Sequence, residues 1–128
     1  MITVKWMMLC EYASVNIDNK INLLGVFDEL NCKEIPLHMS RMYVVLDTIM
    51  EDNFAGLLYV FIAKYDRKLT VAESDPLPIA ASGRSRQSRA FPIEFKDLTF
   101  PELGQYKVQV YFSDKVIHSG YLNLVQSL

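Results

Sequence analysis

The stretch WMMLCEYASVNIDNKINLLGVFDEL, residues Trp6–Leu30, decides the fold of this chain. It holds two apolar runs on either side of a polar cluster that extends from Asn16 to Lys20. Asn and Asp tolerate left-handed backbone and bond their own main chain, so such a cluster turns the chain. The stretch therefore predicts a β-hairpin. Gly25 lies inside the second run, where a glycine either marks a bulge or bend or is simply a tolerated small residue.

The rest of the chain repeats this pattern of short apolar runs and polar turns. Several runs recur at spacings of about 8–12 residues, which is typical of a sandwich or barrel. No segment keeps a 3.6-residue period, so little or no helix is expected. We predict an all-β fold, an antiparallel immunoglobulin-like β-sandwich of eight or nine strands. After the hairpin, the predicted strands lie in or around Leu37–Met50, Gly56–Lys64, Leu69–Ala72, Phe91–Phe95, Tyr106–Phe112 and Val116–Val125.

One local pattern favours a sandwich in particular. Gly104, Gln105 and Tyr106 precede a stretch in which apolar and other residues alternate. This pattern is similar to the tyrosine corner of immunoglobulin-like folds, in which a tyrosine at a strand start bonds its hydroxyl to upstream backbone. The alternative is an ordinary cross-strand tyrosine. The corner predicts a backbone partner for the Tyr106 hydroxyl a few residues upstream.

Length and composition limit the possible classes of protein. A chain of 128 residues corresponds to a single domain, here taken as 1–128. With 51% hydrophobic and 22% charged residues, the composition is that of a globular protein. The net charge of −2 argues against DNA or an anionic membrane as a chain-wide electrostatic partner, so nucleic acid is not expected. Because we find neither a secretory signal nor a membrane span, we expect a cytoplasmic protein.

The reactive side chains form no recognisable motif. Cys10 and Cys32 are too few for a disulfide scaffold or a zinc site, and we expect two buried, reduced thiols without a bridge. His38 and His118 have no metal-binding spacing to other residues. Paired acids occur only at strand ends and turns, where solvation is their usual role. We therefore predict no catalytic residues, no metal and no cofactor, and expect that the chain is not an enzyme.

The longest segment without a clear period extends from Glu73 to Ala90, and Ile79–Ala81 could form a short edge strand within it. It carries Arg84, Arg86 and Arg89, the one local concentration of charge without acids. The planar guanidinium group suits phosphate or carboxylate, and neighbouring Gly and Ser residues could add backbone N–H groups to an anion site. The alternative is a solvated, mobile loop. Single-stranded nucleic acid would require interleaved aromatic residues, which this segment lacks.

Two segments are apolar at consecutive positions and so present apolar side chains to both faces of a sheet. They are Val44–Leu46 and Leu57–Ala63. If these strands are neighbours, their outward residues merge into one patch that includes Tyr59 and Phe61. Monomers rarely expose such a patch, so something covers it. The Glu73–Ala90 segment could fold back over it, but we favour a second copy of the chain, since closed two-fold pairs are the commonest oligomers.

A family resemblance accompanies these patterns. The motif ASVN-x-D-x-K-x-NLLGVFD, which begins at Ala13, resembles the opening of a family of uncharacterised bacterial and phage proteins. Downstream, Phe95, Phe100, Gly104, Tyr106 and Val110 resemble its closing pattern. The family is known only as a domain of unknown function. The resemblance implies a compact β-sandwich and a bacterial, phage or mobile-element origin, and it supplies no functional residues.

These observations favour a non-catalytic binding or assembly module. We expect the module to form a homodimer and to use Tyr59 and Phe61 in its interface. Two alternatives stay open. One is an anion or nucleic-acid binder that acts through the Arg84–Arg89 segment. The other is an enzyme whose site lies at the loop end of the sandwich.

Overall fold

The computed structural model describes residues 1–65, 69–81, 83 and 86–127. Within these residues the chain forms ten strands and no helix. The all-β class is therefore confirmed. The strands are β1 (Ile2–Val15), β2 (Ile21–Phe27), β3 (Glu29–Cys32), β4 (Leu37–Met50), β5 (Phe54–Lys64), β6 (Thr70–Glu73), β7 (Leu77–Ala81), β8 (Gln87–Phe100), β9 (Gly104–Phe112) and β10 (Lys115–Gln126).

The strands form two sheets. Sheet one has the order β2-β1-β4-β8, and sheet two has the order β3-β10-β9-β5-β6, with β7 also paired to β5. Among the described strands, all pairs are antiparallel except β3, which runs parallel to β10. The expected count of eight or nine strands was wrong. The chain leaves sheet one at Asp28 and continues as β3 in sheet two, and a further strand forms where a loop was expected.

The predicted hairpin is confirmed as β1 and β2. At its turn, the Asn16 side chain accepts hydrogen bonds from the backbone N–H groups of Asp18 and Lys20, both at 3.0 Å. Asn19 takes up a left-handed conformation with φ 61°. Gly25 also has a positive φ of 67°, which L side chains rarely adopt, so this glycine is required where the hairpin bends.

One hydrophobic core lies between the two sheets. Leu9, Val44 and Leu46 contribute from sheet one, and alternate residues of β5 and β9 contribute from sheet two. The alternation predicted for β9 is thus the alternation between core and exterior. The core residues of β5, β9 and β10 with the lowest exposure are Leu58, Val60, Ile62, Tyr106, Val108, Val110, Leu122 and Leu124.

The two doubly apolar segments are not sheet neighbours, contrary to the condition considered from sequence. Val44–Leu46 lies in β4 of sheet one, whereas Leu57–Ala63 lies in β5 of sheet two. The turn between β4 and β5 moves the chain from one sheet to the other. Each sheet therefore has an apolar outer face of its own, and the two faces do not merge.

The outer face of sheet one is covered by the chain itself. Val45 and Cys10 are fully buried there, although they lie opposite the main core. Trp6 and the hairpin residues Ile21 and Leu23 pack against them. The hairpin tip thus supplies the cover that the sequence pattern of β4 requires.

Asn19 anchors this cover to the far edge of the sheet. Strands β2 and β8 lie at opposite edges of sheet one. Nevertheless, the Asn19 side chain donates to the carbonyl of Ser88 in β8 at 3.3 Å and accepts from the N–H of Ala90 at 3.1 Å. The hairpin tip therefore lies across the outer face of sheet one and reaches β8.

The segment Glu73–Ala90 is not the long loop that was expected. Its middle forms β7, which pairs with β5 in sheet two, and its end forms the start of β8. Beside β6, the Ser74 hydroxyl accepts a hydrogen bond from the N–H of Val60 at 2.8 Å. The described residues of this segment extend the edge of the sheet and do not fold back over the outer face of sheet two.

The tyrosine-corner bond is confirmed at Tyr106. Its hydroxyl donates to the carbonyl of Glu102 at 2.6 Å and accepts from the N–H of the same residue at 3.1 Å. The Tyr106 side chain is fully buried, and its ring packs edge-on against Phe100 with centroids 5.1 Å apart. Gly104, at φ 116°, starts the strand that carries this tyrosine.

Candidate functional site

The strongest candidate site is the outer face of sheet two. Along β5, the even-numbered residues from Leu58 to Ile62 are buried, and the odd-numbered residues point outward because strand side chains alternate. Register extends this surface to neighbouring strands, since Pro78 lies beside Leu57 and Tyr111 beside Tyr59. We call this surface the aromatic face; it comprises Ala55, Leu57, Tyr59, Phe61, Ala63, Pro78, Ala80, Tyr111 and Val116.

Aromatic rings organise the centre of the aromatic face. The rings of Tyr59 and Tyr111 are stacked, with centroids 5.0 Å apart and an angle of 1° between their planes. Phe61 meets Tyr111 edge-on at 6.5 Å. These contacts leave the three rings half-buried, whereas Leu57 is 47% exposed and Val116 is 46% exposed. The rings therefore hold one another in place, and they form a preorganised, partly exposed apolar surface.

Polar groups lie at the margins of the aromatic face. The Tyr59 hydroxyl donates to Asp114 Oδ1 at 3.3 Å. Partial burial among its neighbours raises the pKa of Tyr59, and the Asp114 carboxylate raises it further. Glu73 lies next to Phe61 on one side in the sheet register, and Lys107 lies next to Ala63 on the other. The face therefore has an acid, Glu73, on its β6 side, and both a base, Lys107, and an acid, Asp114, on its β9 side.

A shallow groove of about 410 Å³ adjoins the rings. Ala63 is small, so the surface is depressed between Phe61 and Tyr65, which lie on either side of it along the strand. Tyr65 in turn packs edge-on against Tyr121 at 5.6 Å. The groove is a depression beside the aromatic face, and a side chain of a partner can fit into it. Its lining consists of Phe61, Ala63, Lys64, Tyr65, Thr70, Lys107, Gln109 and Tyr111.

Two of the three arginines in the Arg84–Arg89 segment lie within the described residues. Arg84 lies outside the described residues. The Arg86 Nε atom lies 3.6 Å from Glu51, and the Arg89 guanidinium lies 4.9 Å from the centre of the Phe91 ring. Arg86 and Arg89 therefore have separate partners, a carboxylate and a ring face.

The cysteines and histidines lie in four separate places. Cys10 is buried in sheet one and Cys32 in sheet two, and both are free thiols, as expected. Burial raises the pKa of Cys10, and a hydrogen bond from the backbone of Tyr12 opposes this effect. The His38 Nδ1 atom lies 2.9 Å from the Thr99 hydroxyl oxygen.

No group of three or more His, Cys, Asp or Glu residues with metal-binding geometry occurs in the described ranges. Over the same ranges, none of the chain forms a helix that is long and apolar enough to cross a bilayer.

Sequence reasoning missed a second cavity, between β1 and β2 on one side and β10 on the other. It measures about 420 Å³ and includes His118 and Asp28. These residues are far apart in sequence, and no periodicity in either segment indicates that they meet. Only the change of sheet at Asp28, which places β3 beside β10, brings them together.

Comparison with solved structures shows the fold alone. The chain is similar to part of the Pseudomonas fluorescens alkylpurine DNA glycosylase AlkC, solved bound to DNA containing an abasic site analog. The TM-score is 0.53 at 10% identity, over 97% of this chain and 30% of the glycosylase. It is also similar to part of a Bifidobacterium adolescentis GH3 β-glucosidase, with a TM-score of 0.50 at 11% identity, over 97% of this chain and 17% of the glucosidase. A Listeria innocua β-glucosidase, in complex with isofagomine, gives a TM-score of 0.50 at 12% identity, over 95% of this chain and 16% of the glucosidase.

These values mean that the chain spans less than a third of each of these enzymes. No curated protein sequence matches it. The sequence pattern of one family, described as a family of unknown function, matches residues 5–125, which is nearly the whole chain. This match includes both the hairpin motif and the tyrosine corner, and the chain therefore belongs to DUF6941, a family of unknown function.

Proposed function

We propose that this chain is a non-catalytic assembly module that pairs with a second copy of itself through the aromatic face. The observation that carries the proposal is the uncovered apolar surface of β5 and its neighbours. Five outward positions from Ala55 to Ala63 extend over about 27 Å at the usual rise of a strand. A continuous apolar surface of this size on a monomer usually marks an interface.

The residue types of the aromatic face are those enriched in protein–protein interfaces. Tyrosine and phenylalanine are enriched at the centres of interfaces because they bury a large area and lose little side-chain entropy. Here Tyr59, Phe61 and Tyr111 already hold one another in place, so little further ordering is needed on binding.

The margins favour a second copy as the partner. A two-fold axis that runs along the strand direction brings the Glu73 side of one copy opposite the Lys107 side of the other. Glu73 of each copy then faces Lys107 of the other. Isologous interfaces require this kind of self-complementary surface.

Sedimentation velocity over a dilution series tests the proposal. We expect a dimeric mass at micromolar concentration, and a monomeric mass for Leu57→Asp, which places a charge in the aromatic face. The matched control is Leu24→Asp, because Leu24 is 64% exposed on β2 and lies outside the face. A wild-type chain that stays monomeric at the highest concentration, or a dimer that Leu57→Asp leaves intact, would contradict the proposal.

We also infer that the two sheets form an immunoglobulin-like sandwich. The support is the Tyr106 corner together with a core built from the facing sides of both sheets. A cytoplasmic location belongs to the same proposal, and its support is that Cys10 and Cys32 are both free thiols.

A further inference from the structure

One edge of strand β10 is paired along most of its length, and the other edge is paired only at its end. On one side it pairs with β9 from Lys115 to Leu124. On the other side β3 pairs with it only from Asn123 to Gln126. In the part of the chain that the structure describes, no strand pairs with the first two-thirds of this second edge.

The direction of the backbone groups on this open edge follows from the existing bonds. The N–H of Asn123 donates to the carbonyl of Asp28 at 3.0 Å, and the N–H of Ser127 donates to Cys32 at 2.9 Å. Every second residue of a strand points its N–H and C=O to the same edge. The backbone groups of Ser119 and Tyr121 therefore point away from β9, toward the open edge. Such a row of groups is a template for another extended chain.

The cavity of about 420 Å³ lies beside this open edge. Gly120 has no side chain, and the terminal methyl of Met7 lies only 2.4 Å from where a Cβ would be, so Met7 packs directly on β10. Leu9 and Phe27 add apolar surface from sheet one, and Asp28 adds a carboxylate. The lining as a whole comprises Met7, Met8, Leu9, Val26, Phe27, Asp28, His118, Gly120 and Tyr121.

We propose that an extended peptide segment of another protein binds along the open edge of β10, in line with β3. Its backbone pairs with Ser119 and Tyr121, and every second side chain is apolar and enters the cavity. A basic residue fits where the segment approaches Asp28 and Glu29, two adjacent exposed acids. Strand addition of this kind takes affinity from main-chain bonds and specificity from alternate side chains.

The shape of the site favours a single extended chain over a second copy. Val26 and Met8 line the cavity from sheet one, and Tyr121 lines it from sheet two. Residues of sheet one therefore lie beside the open edge. An intact domain would bring a second sheet about 10 Å away from its edge strand, and that sheet would meet the exposed Val26 and Met8 side chains, whereas a single extended chain has no second sheet. This surface is separate from the aromatic face, so the inference does not depend on self-association.

Amide hydrogen exchange on the free protein tests the premise. Ser119 and Tyr121 should exchange at least ten times faster than Gly120 and Leu122, whose N–H groups point toward β9. Equal protection of all four amides would show that the edge is already paired, and would overturn the proposal.

Selection from a phage-displayed library of random linear nine-residue peptides tests the binding itself. An enriched peptide, once synthesised, should shift the amide resonances of Ser119, Tyr121 and Phe27. N-methylation of that peptide at every second residue should weaken binding at least ten-fold, and methylation at the intervening residues should not, because only alternate N–H groups face β10.

Ser119→Pro should also weaken binding at least ten-fold, since it removes an edge N–H without breaking the ladder to β9. Ser119→Ala, which keeps the N–H, should bind as the unaltered protein does. If Ser119→Pro does not fold, binding of the N-methylated peptides to the unaltered protein tests the proposal instead. Three outcomes would overturn the proposal. The selection enriches no peptide, the resonance shifts are confined to Tyr59 and Tyr111, or the shifts at Ser119 depend on protein concentration alone.

Discussion

The two outer faces of the molecule are built from similar sequence but are exposed differently. On sheet one, Val45 and Cys10 have no exposed surface because the β1–β2 hairpin tip lies over them. On sheet two, Leu57 is 47% exposed, and no described segment lies over the aromatic face. Apolar patterning on both sides of a strand therefore indicates that a cover is needed. Whether the cover is internal or external depends on the length and direction of a neighbouring hairpin.

The largest expected effect comes from placing a charge on each face in turn. Val45→Asp buries an unpaired carboxylate beneath the hairpin and should lower the free energy of unfolding by about 4 kcal/mol. Leu57→Asp puts the same group at an exposed position of the open face and should cost less than about 1 kcal/mol. Urea denaturation of both variants, at a concentration where the chain is monomeric, measures the difference. Similar losses would mean that the two faces are equally covered.

The next largest effect is the loss of stability when the Tyr106 corner of sheet two is removed. Tyr106→Phe leaves the carbonyl and N–H of Glu102 without their hydroxyl partner and should cost on the order of 1–3 kcal/mol. Thermal and urea unfolding measure this loss. Tyr121→Phe is the matched control, because the Tyr121 side chain is exposed on the same sheet. A loss for Tyr106→Phe of only a few tenths of a kcal/mol would reduce the corner to ordinary packing.

A smaller effect tests the anchor of the hairpin. Asn19→Ala removes both bonds to β8 and should lower the free energy of hairpin opening by about 1–2 kcal/mol. The thiol of Cys10 reports this opening directly, since it is buried beneath the hairpin. In a Cys32→Ala background, its labelling by a thiol reagent should accelerate about 5–30-fold.

Asn19→Gly separates the anchor from backbone strain. Asn19 has φ 61°, which glycine adopts without cost, so this variant loses the side-chain bonds alone. It should label more slowly than Asn19→Ala and faster than the unaltered protein. Identical labelling of all three proteins would show that Asn19 does not hold the hairpin down.

The smallest effect is a dependence on alkaline pH. The hydrogen bond to Glu94 raises the pKa of Tyr43 above its ordinary value of 10.0, and burial raises that of Tyr59. In each case the folded state holds the proton more tightly, so the stabilisation is complete below about pH 10 and is lost as pH rises through the folded pKa. Unfolding curves between about pH 9 and 11 should show this decline. Tyr43→Phe should make the decline shallower, and an unchanged slope would contradict the assignment.

The sequence predicted the elements with strong local signals. The Asn16–Lys20 turn, the alternation of β9 and the Tyr106 corner are each set by neighbouring residues, and all three are present. β7 was predicted only as a possible short edge strand at Ile79–Ala81, because Pro78 and two alanines are weak strand formers. The strand forms because an edge position tolerates a proline without an N–H.

Longer-range features could not be predicted from the residues near them. β3 has only four residues, and nothing local indicates that it joins the other sheet in a parallel pair. For the candidate site, the outward position of Tyr59 and Phe61 was predicted from alternation. Whether that strand neighbours Val44–Leu46 was left as a condition, which the structure does not meet, because strand alternation carries no information about which strands are neighbours.

The position of Asn19 has a consequence for solubility. Its carboxamide bonds a carbonyl and an N–H two residues apart on β8, the same pair of groups that an added strand would bond. One side chain thus protects an edge strand from docking onto other molecules. The bond pair also helps to keep the residues beneath the hairpin shielded from solvent. The amide can be lost by mutation or by slow deamidation to aspartate. We therefore expect protein without this amide to aggregate on storage before it loses its secondary structure.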